Sequence, residues 1–351
     1  TVVARPYFFG HGLLGDVSEI REPQNNAMMN EHQMMLCATN WIGFSSKDTA
    51  AAAQALGEWS QMAVLIDQQV QSYLNAMYLA RLLKHPQGLA SDPAFHAGGQ
   101  PVFDTSTVYF DSDSLGAVMG GGLMGVIQDV TRGVLGVPGM SYSMLLRRSK
   151  NWATYGIFMT GAAGAGGYPD AKDQTFLLSM IQMLWDRSES SGYAYHISDN
   201  LLPNTPSHDV LLHVAYGDHS VSMWAADMLA RTLDAGLRVP TLEEGRHPDA
   251  NPYVGLEPIP AGDYTGNAMV VWDNGPIGGG AENGGTATPP TTNVSPTEPE
   301  YGTNPHWVPR REPAARQQKS DFLMPDGEGR FIDICDPSLP CTADGYVPGG
   351  G

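Results

Sequence analysis

Apolar positions in this chain fall into short, almost unbroken runs separated by longer stretches of mixed polarity. Residues 2–9, 34–39, 105–110, 132–137, 209–215 and 268–272 are such runs, and they read as strands covered on both faces. Between them the period changes. Within residues 59–83, Met62, Ile66, Val70, Tyr73, Met77 and Leu82 recur at helical spacing and mark the core-facing stripe of the longest helix. A second apolar helix is expected over residues 176–185. Strands alternating with helices predict an α/β fold: a doubly wound, mainly parallel sheet whose chemistry gathers at the carboxyl ends of its strands.

Three of those strand ends carry residues of one kind of chemistry. The run Val108-Tyr109-Phe110 enters Asp111-Ser112-Asp113-Ser114-Leu115-Gly116, which reads as a nucleophile elbow with Ser114 at its apex and Ser112 where the first glycine of G-x-S-x-G is expected. Upstream, Tyr7-Phe8-Phe9 leads into Gly10-His11-Gly12-Leu13-Leu14-Gly15, the form of an oxyanion-hole loop. The N–H groups of Leu13 and Leu115 are then the donors for a developing oxyanion. Downstream, residues 209–215 end in Tyr216-Gly217-Asp218-His219, placing Asp218 as the acid, with Asp273 and Asp186 as alternatives. His306, in Asn304-Pro305-His306, is the candidate base. His11 is read as a prop for its turn, and His219 as a surface or helix-capping residue. The order Ser114, Asp218, His306 is that of the α/β-hydrolases rather than of chymotrypsin-like or subtilisin-like enzymes.

On these residues, together with Cys37-Ala38-Thr39-Asn40-Trp41-Ile42-Gly43, the stretch Arg132 to Gly139 and the final cysteine pair, the chain resembles the α/β-hydrolase superfamily, in a branch of secreted bacterial lipase- or esterase-like proteins. The resemblance covers nearly the whole length. It implies a hydrolase core in two parts, residues 1–139 with the oxyanion loop and elbow and residues 207–351 with the acid and histidine, and a helical cap over residues 140–206. It further implies a serine hydrolase acting on carboxylic esters through an acyl-enzyme, with a small-molecule or lipid-like ester as substrate and no cofactor or metal. Relatives place two more strands before the oxyanion strand, so the chain is expected either to be a minimal hydrolase that lacks them or to have them elsewhere, on an upstream fragment or sister chain. Residues 274–305, rich in Gly, Pro, Thr and Asn, form a long connection that must deliver His306 to the elbow.

Composition narrows the partners. At 351 residues with 42% hydrophobic content the chain supports one decorated domain. A formal charge of −18 argues against binding nucleic acid or an anionic membrane. No apolar run reaches the ~20 residues of a membrane-spanning helix. The opening residues show no signal peptide, so a removed leader or a late start is expected. Of three cysteines, Cys335 and Cys341 enclose a proline-containing loop and are expected to form a disulfide, with free thiols as the rival; the bridge would place the chain in a secreted, periplasmic or cell-surface setting. Cys37 reads as a small buried hydrophobe. Two alternatives remain. One is a catalytically inactive hydrolase-like scaffold for binding or surface assembly. The other takes Asp111 as the nucleophile of a magnesium-dependent phosphotransferase, which needs a lysine that no later strand end offers.

Overall fold

The computed structural model of the chain describes residues 3–164, 166–260, 264–276, 285–324 and 330–348. Residue 2 of the first expected strand and residues 277–284 of the long connection lie outside them. The central sheet has a path of seven strands: β1 (Arg5–Gly10), β2 (Met34–Ala38), β3 (Tyr109–Asp113), β4 (Arg132–Gly136), β5 (Asp209–Ala215), β6 (Ala268–Asp273) and β7 (Cys341–Thr342), in the spatial order β7-β6-β5-β4-β3-β1-β2. Every pairing along this path is parallel, with Tyr7 opposite Leu36 and Tyr109, Ser112 opposite Leu135, and Leu135 opposite Leu212. This is the doubly wound α/β sheet that the alternating pattern predicts.

Alternation along each strand divides the side chains between two layers. Phe8, Phe110, Leu135, Leu212 and Val271 meet helices α2 (Thr49–Gly57), α3 (Met62–Lys84), α4 (Leu115–Met124), α7 (Ala171–Trp185) and α8 (Met223–Thr232). Between α4 and α7 the chain forms the short α5 (Tyr142–Leu145) and α6 (Trp152–Thr160). On the other face Tyr7, Phe9, Tyr109, Val134, Leu211 and Trp272 pack against α1 (Pro23–His32) and, following the four-residue α9 (Val308–Arg311), α10 (Pro313–Phe322). A side chain of this size, once wholly covered, contributes about 1.5–3 kcal/mol.

Three expectations shift. The strand expected over residues 105–110 is Tyr109–Asp113, because Asp111 and Asp113 continue the ladder instead of starting a turn. Both point to the layer of α9 and α10, where cations meet them. In α3, Met62, Ile66 and Tyr73 are buried as expected, but Leu82 faces solvent; Gln69, Ser72, Ala76, Ala80 and Leu83 complete the inward stripe, because small residues let the helix lie close. The helix expected over residues 176–185 begins at Ala171, capped by Asp170, and turns Leu178, Ile181 and Trp185 inward. No helix among the described residues is long and apolar enough to cross a membrane.

Candidate active site

Ser114 stands between β3 and α4 with φ 63° and ψ −127°, a region that costs a non-glycine residue energy and persists only when its surroundings impose it. The surroundings are visible. Ser114 N–H donates to the Gly136 carbonyl at 2.9 Å, and the Ser114 carbonyl accepts from Ala117 and Val118 at the start of α4. Gly116 lies so close to the Gly10 carbonyl that a Cβ there would sit 2.1 Å from its oxygen, so only glycine fits. Ser112 fills the position where a glycine was expected without opening the turn: it is fully buried, and its hydroxyl donates to the Val134 carbonyl at 3.2 Å.

The candidate acid and the candidate base meet. Asp218 Oδ1 accepts from the N–H groups of Ser220 and Val221, and Oδ2 lies 2.7 Å from His306 Nδ1, both side chains being almost wholly covered. A carboxylate at that nitrogen fixes the tautomer that leaves Nε2 free to accept a proton. Asn304 secures the pair: its Oδ1 accepts from the N–H groups of His219 and His306, and its Nδ2 donates to Ser220 Oγ. The alternative acids are occupied elsewhere. Asp273 is clamped by Arg246 at 2.8 and 2.9 Å, and Asp186 accepts from Gln182. Among the described residues no hydrogen bond joins Ser114 to His306, a contact that commonly tightens only once substrate is bound. Arg310 reaches the neighbourhood of each. Its Nε lies 3.4 Å from Asp113 Oδ2, beside Ser114, and its NH2 donates to the His306 carbonyl at 3.5 Å.

Leu13 and Leu115 flank Ser114 along one cleft. Leu115 is the first residue of α4, where the amide has no intrahelical acceptor, and neither its N–H nor that of Leu13 is donated to a protein acceptor among the described residues. The neighbouring Gly12 N–H is spent on Glu19 Oε2 at 3.0 Å. Burial, with Glu22 and Asp113 adding to it and the Gly12 N–H and Arg310 opposing, raises the Glu19 carboxyl from 4.5 to about 7. His11 props the same loop: Nδ1 lies 2.8 Å from the Gly12 carbonyl and Nε2 accepts the Trp41 N–H, an arrangement of the neutral ring that burial favours by lowering its pKa. His219 is buried rather than on the surface, because the Asn304 loop folds over it.

Asp111 lies away from this cleft, on the opposite face of the sheet from Ser112. Lys319 Nζ approaches its two oxygens at 2.9 and 3.0 Å, so the lysine missing from later strand ends comes instead from α10. The pair is sealed, with both side chains at most 5% exposed, and Asp111 does not line the cleft. Burial outweighs the lysine and pushes the Asp111 carboxyl up to about 6. Cys335 and Cys341 are disulfide-bonded, with their Cα atoms 5.5 Å apart. Cys37 is free and half-buried rather than enclosed, and burial raises its thiol to about 11.

Sequence reasoning missed Glu19, Arg310 and Lys319. The one signal available was the spacing of Arg310, a helical turn after His306.

No family model matches the chain, and no curated protein matches it. Among solved structures it is similar to an acylaminoacyl peptidase of Pyrococcus horikoshii, with 13% identity, a TM-score of 0.41, and coverage of 78% of this chain but only 33% of that one. It is also similar to acetyl xylan esterase 1 from Thermoanaerobacterium sp. JW/SL YS485, with 12% identity, a TM-score of 0.39, and 66% of each chain covered. A third is an esterase of Pyrococcus furiosus, with 10% identity, a TM-score of 0.38, and 77% and 73% covered.

Proposed function

We propose that this chain is a serine hydrolase acting on carboxylic esters through an acyl-enzyme. The observation that supports the reading is the Asp218–His306 pair at 2.7 Å, together with Ser114 in a strained turn at the carboxyl end of β3. In this mechanism His306 Nε2 takes the proton of Ser114 Oγ as the oxygen attacks the ester carbonyl. Asp218 keeps Nδ1–H oriented and stabilises the imidazolium. The carbonyl oxygen, now an anion, turns to the N–H groups of Leu13 and Leu115. Collapse of the intermediate breaks the bond to the alcohol, which leaves with the proton from His306, and water, activated by the same histidine, releases the acid. The disulfide supports an extracytoplasmic setting for this chemistry.

Hydrolysis of p-nitrophenyl esters by the wild type and by Ser114→Ala, with a chelator present throughout, tests the reading. A Ser114→Ala loss of at least about a thousandfold, with fluorophosphonate labelling confined to the wild type, is the expected result. Asp218→Asn should cost about ten-thousandfold at neutral pH by misorienting the imidazole. Undiminished hydrolysis by Ser114→Ala, or phosphatase activity lost to the chelator, would overturn it. Failure of both hydrolysis and labelling would favour the inactive scaffold.

A further inference from the structure

The cleft that opens at Ser114 has a wall chemistry specific enough to name what enters it. Its enclosed cavity measures about 100 Å³, and the space including its open mouth about 860 Å³. Leu56, Met62 and Leu65 form one side, and Tyr142, Trp152 and Trp185, from the segment between β4 and β5, form another. Although the chain carries 37 Asp and Glu and 19 Lys and Arg, no acidic, basic or histidine side chain lines the cleft among the described residues. An ionised group placed there would lose its water and gain no partner, a cost that excludes it. A sugar, with a hydroxyl on nearly every carbon, would meet few acceptors: the polar groups are those of Ser114, Ser149, Asn151 and Ser220, the hydroxyls of Tyr142 and Tyr155, and the indole N–H donors of Trp152 and Trp185.

Which half of an ester lies in the cleft follows from the mechanism. The leaving alcohol must receive a proton from His306, so it departs on the histidine side. His306 does not line the cleft, whereas Ser114, Leu13 and Leu115 do. The cleft therefore accepts the part of the substrate that stays on the serine. We infer that it is an acyl pocket for neutral, apolar acids of medium chain length or with an aromatic ring, and that acetyl, sugar-bearing and charged acyl groups are poor substrates. The inference rests on the serine-hydrolase reading for the bond that is broken, while the pocket's preference is measurable without turnover.

Two measurements separate the layers. The first compares kcat/KM for p-nitrophenyl acetate, butyrate, hexanoate and octanoate, and for the p-nitrophenyl half-ester of succinate. Each pair of added methylenes should raise the value roughly fifteenfold until the pocket is filled, since one buried methylene is worth about a factor of four. The charged half-ester should fall far below the neutral ester of similar length. Leu146→Trp, which narrows the pocket from one wall, should lower the octanoate-to-acetate ratio. The second measurement titrates Ser114→Ala with methyl octanoate and methyl acetate, following tryptophan fluorescence. Tighter binding of the octanoate supports the pocket even where no ester is turned over. Equal binding, or serine-dependent turnover that prefers acetate or the half-ester, overturns it. Loss of turnover with retained octanoate binding overturns only the reading of the bond broken.

Discussion

Glu19 shows how much a single side chain can do near a reacting atom. Its carboxylate receives the Gly12 N–H, and a Cβ on Gly15 would lie within bonding distance of it, so the loop that presents Leu13 is wrapped around this group. Its ordinary value of 4.5 is raised to about 7, so the folded chain holds the Glu19 proton more tightly than the unfolded chain does. The resulting stabilisation is complete below about 4.5 and is lost as pH rises through about 7. Glu19→Gln keeps an acceptor for Gly12 and removes the titration. Urea unfolding followed from pH 4.5 to 7 should therefore show a shallower fall in stability for the variant, and higher stability than the wild type above pH 7. Asp111 and Asp227 are raised by burial in the same direction, so the slope shrinks without vanishing. Residues of this kind were not legible in the sequence. The serine, the acid and the glycine turns stand at strand ends, with the histidine following them in a telling order, whereas Glu19 is one acid among 37 until the loop closes on it.

At the scale of elements, the underside of β3 is held by α9 and α10 through buried charge. Lys319 meets Asp111, Arg310 meets Asp113, and Arg132 and Arg5 donate to carbonyls at the end of α10, from Ser320 to Met324. Lys319→Met leaves the Asp111 carboxylate enclosed without a partner and should cost about 3–5 kcal/mol in chemical denaturation, whereas Lys319→Met with Asp111→Leu should recover much of the loss. Arg310→Ala should act on rate more than on fold. It releases the histidine-bearing turn from β3, and kcat on p-nitrophenyl esters should fall between about ten- and a hundredfold with a smaller change in KM. These ties explain the strand that was misjudged. Asp111 and Asp113 look like the start of a turn because their countercharges lie some 200 residues away, at separations of 208 for Lys319 and 197 for Arg310, beyond any local pattern. Strands that are apolar over most of their length, such as β5 and β6, were legible to within a residue.

Over the whole molecule, the C-terminal disulfide loop is organised from within by Arg238, which reaches the carbonyls of Asp336 and Leu339 and pairs with Asp333 at 2.9 Å. Closing so small a ring contributes about 2 kcal/mol by restricting the unfolded chain, so Cys335→Ser with Cys341→Ser, or reduction, should lower the thermal midpoint by a few degrees. The overall architecture was readable because a parallel sheet writes itself as isolated apolar runs. The shape of the cleft was not, since its walls come from helices whose mutual angles no periodicity records. The segment between β4 and β5 has a distinctive place in this plan. Those two strands pair in register from Arg132 opposite Asp209 to Gly136 opposite His213, and the chain joining them supplies Tyr142, Trp152 and Trp185 but none of Ser114, Asp218 or His306. One wall of the proposed pocket and the proposed catalytic residues thus lie on separate stretches of the sequence, so exchanging this connecting segment should reshape that wall while leaving Ser114, Asp218 and His306 in place.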